Sequence, residues 1–250
     1  FEHNPTVYCS TRTYRKFLDG QFPRGTGALL DLGCGDGRLS MWAIERGFSP
    51  VVAVDSNLES LKRLARAAKS GGRDELVVIC ANAARPPLQP NFFAVVLCFE
   101  VLYYLAGAMG RTDALRVPAG LLHPNGTLVL SEFNRYGRAL LDVAAMDLNN
   151  ARRLLEHSAR FEKTDDRRIE VFQWTPDQLR EDCRAIGLNI VAEGGVSLIP
   201  ALFHFAWNLT SYPLRPPLDD ETKALIEALS DQSSESPGLT RNVILAMKKD

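Results

Sequence analysis

No apolar run in these 250 residues approaches the roughly 18 residues that a bilayer crossing requires, and the N-terminus lacks the pattern of a secretory signal. Cysteine is scarce. The five residues Cys9, Cys34, Cys80, Cys98 and Cys183 are odd in number and contain no CxxC pair, which argues against a disulfide framework or a thiolate metal site. Cys80 and Cys98 fall in apolar runs, where a free thiol acts as a small hydrophobe, and the set reads as the reduced thiols of a cytoplasmic protein. The four histidines stand apart from one another, so no metal cluster is visible. Charge of one sign is not massed either: 29 Lys and Arg against 30 Asp and Glu give a net charge of −1. A chain whose main partner is a phosphate backbone carries a basic stripe, so there is no strong nucleic-acid signature. Internal repeats and low-complexity tracts are absent, and no Ser-His-Asp or Cys-His set is suggested by order or spacing.

What is present is ordinary globular material, 46% apolar and 24% charged, enough for one large α/β domain. Short apolar runs alternate with helical stretches. Ala28–Leu32, Val51–Val54, Leu76–Cys80, Phe93–Phe99 and Thr127–Ser131 read as five strands, the last after the turn His123-Pro124-Asn125-Gly126. They lack clean alternation, as strands buried on both faces of a parallel sheet do. Leu188–Val196 and Asn242–Met247 add two more. The expected fold is a doubly wound, mostly parallel seven-stranded sheet with helices on both faces. Residues 1–27 read as a lid-like segment, 28–133 as a cofactor-binding core and 134–168 as a helical insertion after strand five. Residues 169–250 read as the C-terminal part of the sheet with substrate-side elements. Ser56-Asn57-Leu58-Glu59 is a capping-box sequence, and Thr175-Pro176-Asp177-Gln178 is a second one. Asp231–Pro237 reads as a loop.

The informative constellation is Asp31-Leu32-Gly33-Cys34-Gly35-Asp36-Gly37, followed by Asp55 at the tip of the next strand. Glycine is required where a strand turns sharply into a helix and a ligand approaches the backbone. An acid at the tip of strand two is placed to accept hydrogen bonds from a ribose diol. A dinucleotide fingerprint would read G-x-G-x-x-G, but here the third glycine comes one residue early and Arg38 occupies its position. Asp31 would also repel a pyrophosphate. S-adenosylmethionine (SAM) has no phosphate, and its sulfonium and amino group are helped by a nearby carboxylate.

Leu29–Gly37 resembles the first motif of the Rossmann-like (class I) SAM-dependent methyltransferases, and Val52-Ala53-Val54-Asp55-Ser56 resembles the second. Asn82-Ala83 follows strand three, Phe99–Leu105 follows strand four, and Leu121–Leu128 resembles the turn into strand five. The resemblance covers roughly residues 28–133. It implies that the loop of Asp31, Leu32, Gly33, Cys34, Gly35 and Gly37 holds the methionine portion of SAM. Asp55, with Ser56 beside it, would hold the ribose, and Asn82 and Ala83 would border the adenine. Phe99 completes this cofactor set. The product would be S-adenosylhomocysteine. Two features depart from the family pattern: Tyr104 stands where many members have histidine, and the Asn-Pro-Pro-Tyr type of motif is absent, which disfavours methylation of nucleobase amino groups.

Methyl transfer from a sulfonium is an in-line displacement in which the cofactor carries the activation. A neutral amine acceptor needs no strong base, whereas a hydroxyl or an acidic carbon does. Glu100 and Tyr104 are the catalytic candidates, with helix capping an equal reading for Glu100 and packing for Tyr104. Tyr14, Tyr103, Glu132, Trp174 and His204 are the substrate-side candidates. The stretch Phe203–Trp207 reads as a satellite core or a homodimer contact, with an apolar acceptor pocket as the sharper alternative. The expected partner is a small-molecule methyl acceptor. Three alternatives stay open: a protein or RNA methyltransferase, a SAM-binding protein without methyl transfer, and an oxidoreductase using NAD.

Overall fold

A computed structural model of the chain describes residues 4–163, 168–209, 219–234 and 240–249. Helix α1 (Pro5–Gln21) is capped by Asn4, whose side chain accepts the Val7 N–H at 3.1 Å. The winding that follows is β1 (Leu29–Leu32), α2 (Arg38–Glu45), β2 (Val51–Asp55), α3 (Leu58–Ser70), β3 (Leu76–Cys80) and β4 (Phe93–Phe99). Then come α4 (Leu102–Met109), α5 (Arg111–Leu121) and β5 (Leu122–Phe133), then α6 (Arg135–Ala144) and α7 (Leu148–His157). A small antiparallel ribbon of β6 (Ala159–Lys163) and β7 (Arg168–Phe172) precedes α8 (Pro176–Ala185) and β8 (Leu188–Ser197). The chain closes with α9 (Ile199–Leu209), α10 (Asp220–Ser234) and β9 (Thr240–Lys249).

The seven strands stand in the order β3-β2-β1-β4-β5-β9-β8. The first five run parallel, and β9 pairs antiparallel with both β5 and β8. The strand order reverses between β1 and β4, which leaves a crevice at their C-terminal ends where such sheets bind ligands. Side chains of successive residues divide between the two faces. Leu30, Leu32, Val96, Cys98 and Leu130 pack with Leu102, Leu115 and Leu179 of α4, α5 and α8. Leu29, Val51, Val95, Leu97 and Ile244 pack with Tyr14 and Leu18 of α1 and with Trp42 and Ile44 of α2. Burying each such aliphatic side chain contributes about 1.5–3 kcal/mol before conformational entropy is subtracted, so both helical layers are held by the same strands.

Several local expectations change. β3 is an edge strand and its Val77 is 45% exposed, so burial on both faces holds for the central strands and not there. Cys80 at its end is exposed, while Cys98 is buried, and all five cysteines are free. The cap of α3 is Asn57, whose carbonyl oxygen accepts the Glu59 and Ser60 N–H groups, and not Ser56. The Thr175–Gln178 box forms as its residues require. β5 begins at Leu122, ahead of the expected turn: Leu122 pairs with Phe93 and Thr127 with Val95, so the residues between them bulge from the ladder. The segment after β5 is helical to His157, but from Ala159 an alternation of apolar and charged residues goes into the ribbon; 164–167 lie outside the described residues. Residues 231–234 continue α10 where a loop was expected, with Asp231 paired to Arg12 at 2.6 Å, and 235–237 lie outside the described residues. No described helix is long and apolar enough to cross a membrane.

Candidate active site

The β1–α2 loop is shaped by three left-handed glycines, Gly33 (φ 78°), Gly35 (φ 53°) and Gly37 (φ 76°). A Cβ on Gly33 would lie 2.1 Å from Cγ2 of Val101, and one on Gly37 would lie 2.3 Å from Cδ1 of Leu64. Both positions therefore combine a conformation costly to other residues with a close approach that leaves no room for a side chain. The Gly33 and Cys34 N–H groups both donate to the Val54 carbonyl, at 2.7 and 3.0 Å, tying the loop to β2. Asp55 completes the tie: its Oδ2 accepts the Gly35 N–H and its Oδ1 the Asn57 N–H, each at 2.8 Å. Each of those oxygens keeps a further lone pair for a ligand hydroxyl.

Asp31 is buried at 3% exposure, and its Oδ2 accepts the Ser40 hydroxyl at 2.6 Å. Burial pushes its carboxyl up to about 6, opposed by the Ser40 hydrogen bonds. Burial likewise pushes the Cys34 thiol up, so at neutral pH it is not a thiolate nucleophile.

Two cavities meet over this loop. One, of about 70 Å³, is bordered by Thr11, Tyr14, Asp31, Gly33, Cys34, Arg38, Leu39, Phe99 and Glu100. The other, of about 450 Å³, is bordered by Gly33, Asp55, Ser56, Asn82, Ala83, Glu100, Val101, Tyr104 and Leu105. Gly33 and Glu100 belong to both. Glu100 takes a left-handed backbone (φ 60°), unusual for a residue with a side chain. That conformation is held by its N–H on the Ser131 carbonyl at 2.7 Å. Its Oε1 accepts the Tyr14 hydroxyl at 2.8 Å and the Asn242 side-chain N–H at 3.2 Å, with Arg241 Nη2 at 3.7 Å.

Of the residues singled out from sequence, the structure gathers Asp31, Gly33, Cys34, Asp55, Ser56, Asn82, Ala83, Phe99, Glu100, Tyr104 and Tyr14 around these cavities. Gly35 and Gly37 shape the loop without lining them. Leu32 is fully buried in the core below. Asn82 turns its side-chain oxygen onto the Ala84 N–H at 2.8 Å. The Tyr104 hydroxyl is engaged with Glu162 at 3.0 Å, so it is the ring of Tyr104 that faces the larger cavity. Tyr103 is 6% exposed and packs on Phe133 with centroids 5.1 Å apart. Trp174 is buried, with its indole N–H on Asp182 at 2.8 Å. His204 sits on α9 and borders neither cavity.

Glu132 is the clearest correction. It is fully buried and accepts the N–H groups of Val101 (3.2 Å), Leu102 (2.8 Å) and Tyr103 (3.2 Å) at the start of α4. The capping role considered for Glu100 belongs to this residue, since a helix start leaves such N–H groups without intrahelical partners. Burial pushes the Glu132 carboxyl up to about 8, with the three amides pulling the other way. Glu132→Ala is expected to cost about 2–4 kcal/mol by stranding buried amides, and Glu132→Gln about half of that, because one acceptor oxygen remains. Urea denaturation measures this, and an unchanged midpoint in the alanine variant would refute the capping role.

Sequence reasoning missed Thr11, Arg38, Val101 and Leu105 in the walls, and Ser40, Ser131, Arg241 and Asn242 behind them. The available signal was indirect: Val101 and Leu105 lie within the quoted post-β4 segment, Arg38 and Ser40 directly follow the glycine loop and Ser131 precedes Glu132, while Thr11, Arg241 and Asn242 come from elements distant in the chain.

A model of the methyltransferase domain family matches residues 30–130. No curated protein matches the sequence. Similar solved structures include a SAM-dependent methyltransferase from Methanosarcina mazei, at 16% identity and TM-score 0.61, covering 93% of this chain and 96% of that one. The 1,6-didemethyltoxoflavin-N1-methyltransferase of Burkholderia thailandensis matches at 16% identity and TM-score 0.57, covering 96% and 77%. The geranyl diphosphate C-methyltransferase of Streptomyces coelicolor matches at 16% identity and TM-score 0.58, covering 96% and 80%. At such identities the structural likeness is one of fold. The matched segment, however, holds the shaped glycine loop, Asp55 and Glu100 together. Residues 30–130 thus match the methyltransferase domain family, on a chain that shares the fold of SAM-dependent methyltransferases.

Proposed function

We propose that this chain transfers the methyl group of SAM to a small-molecule acceptor, with Glu100 receiving the acceptor's proton. The observation that carries the reading is the place of Glu100 at the junction of the two cavities. Its Oε1 is occupied by Tyr14 and Asn242, and its Oε2 has no hydrogen-bond partner among the described residues. An acid held in this way has one oxygen fixed and one free to take a proton.

The residues present fit the cofactor. The larger cavity, bordered by Asp55, Ser56, Asn82 and Ala83, has the volume and the polar groups for an adenosine. The smaller one sets the Asp31 carboxylate and the loop backbone beside it for a cationic amino-acid portion. SAM, when bound, supplies an activated methyl on a sulfonium. The chain's own residues do the rest: Asp55 holds a diol, Asp31 balances positive charge, the Phe99 and Tyr104 rings offer faces that attract a cation, and α1 shields the smaller cavity from water. The structurally similar proteins named for 1,6-didemethyltoxoflavin and geranyl diphosphate act on small molecules, which supports that acceptor class here.

Asp55→Ala is the test of the cofactor half. S-adenosylhomocysteine titrated calorimetrically should bind the variant about 10–100-fold more weakly, the usual loss for hydrogen bonds to a charged group. Unchanged affinity would remove Asp55 from the site. Methyl-labelled SAM incubated with separate small-molecule and macromolecular fractions tests the acceptor half. Label retained in protein or RNA would overturn it, and tight SAM binding with no transfer to any fraction would indicate a binding protein.

A further inference from the structure

The ring of Phe133, at the end of β5, carries two guanidinium groups. The Arg138 Cζ lies 5.6 Å from the ring centroid and the Arg241 Cζ lies 5.0 Å from it. The π-face holds both cations in place without neutralising either. Their carboxylate neighbours are largely committed elsewhere. Arg160 takes Asp142 through two hydrogen bonds of 3.0 Å and Glu162 through one of 2.7 Å. Arg138 is left in looser ion pairs, its Nε 3.4 Å from Asp142 and its Nη2 3.9 Å from Glu162, and its buried Nε makes no hydrogen bond among the described residues. Arg241 donates to the Ser10 hydroxyl at 2.9 Å and stays 3.7 Å from Glu100, whose Oε1 already serves Tyr14 and Asn242.

Arg160 shows what a structural arginine looks like in this protein: buried, forked and paired. Arg138 and Arg241 are two like charges at one aromatic ring with most of their donor capacity unspent. Buried donors without acceptors are costly. The planar fork of a guanidinium matches the oxygens of a carboxylate or a phosphate. The position is the functional edge of the sheet. Phe133 pairs with Asn242 in register, Arg241 precedes Asn242, and Asn242 donates to Glu100 at the junction of the cavities.

Building on the methyl-transfer reading, we propose that the acceptor carries an anionic oxygen group, a carboxylate or a phosphate, held by Arg138 and Arg241 over Phe133 while its nucleophilic atom faces Glu100. The ring fixes the two cations, the anion supplies the acceptors they lack, and the distance from this clamp to Glu100 selects which atom of the acceptor is presented.

The test titrates the full chain with phenyl phosphate, benzoate and neutral benzamide, with and without saturating S-adenosylhomocysteine, at matched ionic strength. Phenyl phosphate or benzoate should bind and benzamide should not, and which of the two anions binds more tightly names the source. Arg138→Gln and Arg241→Gln should each weaken that binding about tenfold or more, Arg138→Lys should lose less, and S-adenosylhomocysteine affinity should stay within a few-fold. Circular dichroism and melting of each variant establish that it is folded, and Arg15→Gln on the outer face of α1 should leave anion binding unchanged. Binding of neither anion to the wild-type chain overturns the clamp, as does equal anion binding by wild type and both glutamine variants. A chain that binds the anions but not S-adenosylhomocysteine would overturn the cofactor reading and leave the clamp standing.

Discussion

Glu100→Gln is expected to lower kcat by about two to three orders of magnitude, the range in which a positioned general base contributes, while S-adenosylhomocysteine affinity changes no more than a few-fold. Glutamine keeps the Oε1 acceptor that Tyr14 and Asn242 use, so the residue's position and backbone should persist. What it replaces is the free oxygen, and an amide nitrogen there cannot take a proton. The measurement is single-turnover transfer from labelled SAM to the first small molecule found to accept it, compared with calorimetry on the product. A variant with wild-type kcat would show that the acceptor arrives as a neutral amine or by another route, and Glu100 would then be a positioning residue. Tyr14→Phe separates the two roles. It removes the hydroxyl that fixes Oε1 and leaves the carboxylate, so it should cost about tenfold and not a thousandfold.

Asp31→Asn should bind SAM about 10–100-fold more weakly at pH 7 and should lack the pH dependence expected of the wild type between about pH 5 and 7. The Asp31 carboxyl of the free chain is raised by burial to about 6. A raised acid holds its proton more tightly folded than unfolded. Its ionisation therefore destabilises the free chain as pH rises from about 4 to about 6, and the penalty is constant above that. A cationic ligand reverses the balance, because it favours the ionised form. SAM affinity should accordingly be flat near pH 7 and fall by up to about tenfold per pH unit once the pH drops below 6. Asparagine still accepts from Ser40 and carries no charge, so the ligand-free variant should be more stable than wild type at pH 7 by about 1–3 kcal/mol. Calorimetric titration across the pH range and thermal melting of the free chains measure both. A variant that binds SAM normally, or that keeps the acidic loss of affinity, would assign the titration to another group.

What was legible in the sequence is what short-range physics dictates. Gly33 and Gly37 announce a turn that side chains cannot take, and Asp55 follows at the next strand tip because a strand and a helix have nearly fixed lengths. The apolar runs state which segments are covered on both faces. The Thr175–Gln178 cap was readable because it is a contact three residues long.

The misplaced residues share one cause. Glu100 and Glu132 are both acids just past a strand, and their local sequences do not distinguish a helix cap from a free carboxylate. The distinction arises because β5 lies beside β4 and aims Glu132 under the first turn of α4, while Ser131 holds Glu100 in a left-handed turn above it. Tyr103 and Trp174 are aromatic and near the edge, yet the close-packed interior claims them. β3 is apolar enough for a buried strand but ends at the sheet margin.

Sequence alone determined that the chain winds a parallel sheet and turns a glycine loop against an acid. Tertiary structure decided which carboxylate faces the cavity, which arginines gather at the Phe133 ring, and that α1 sets Thr11 and Tyr14 in the wall of the smaller cavity. Those outcomes depend on contacts such as Tyr14 with Glu100 and Ser10 with Arg241, 86 and 231 residues apart, and local periodicity carries no information across such separations.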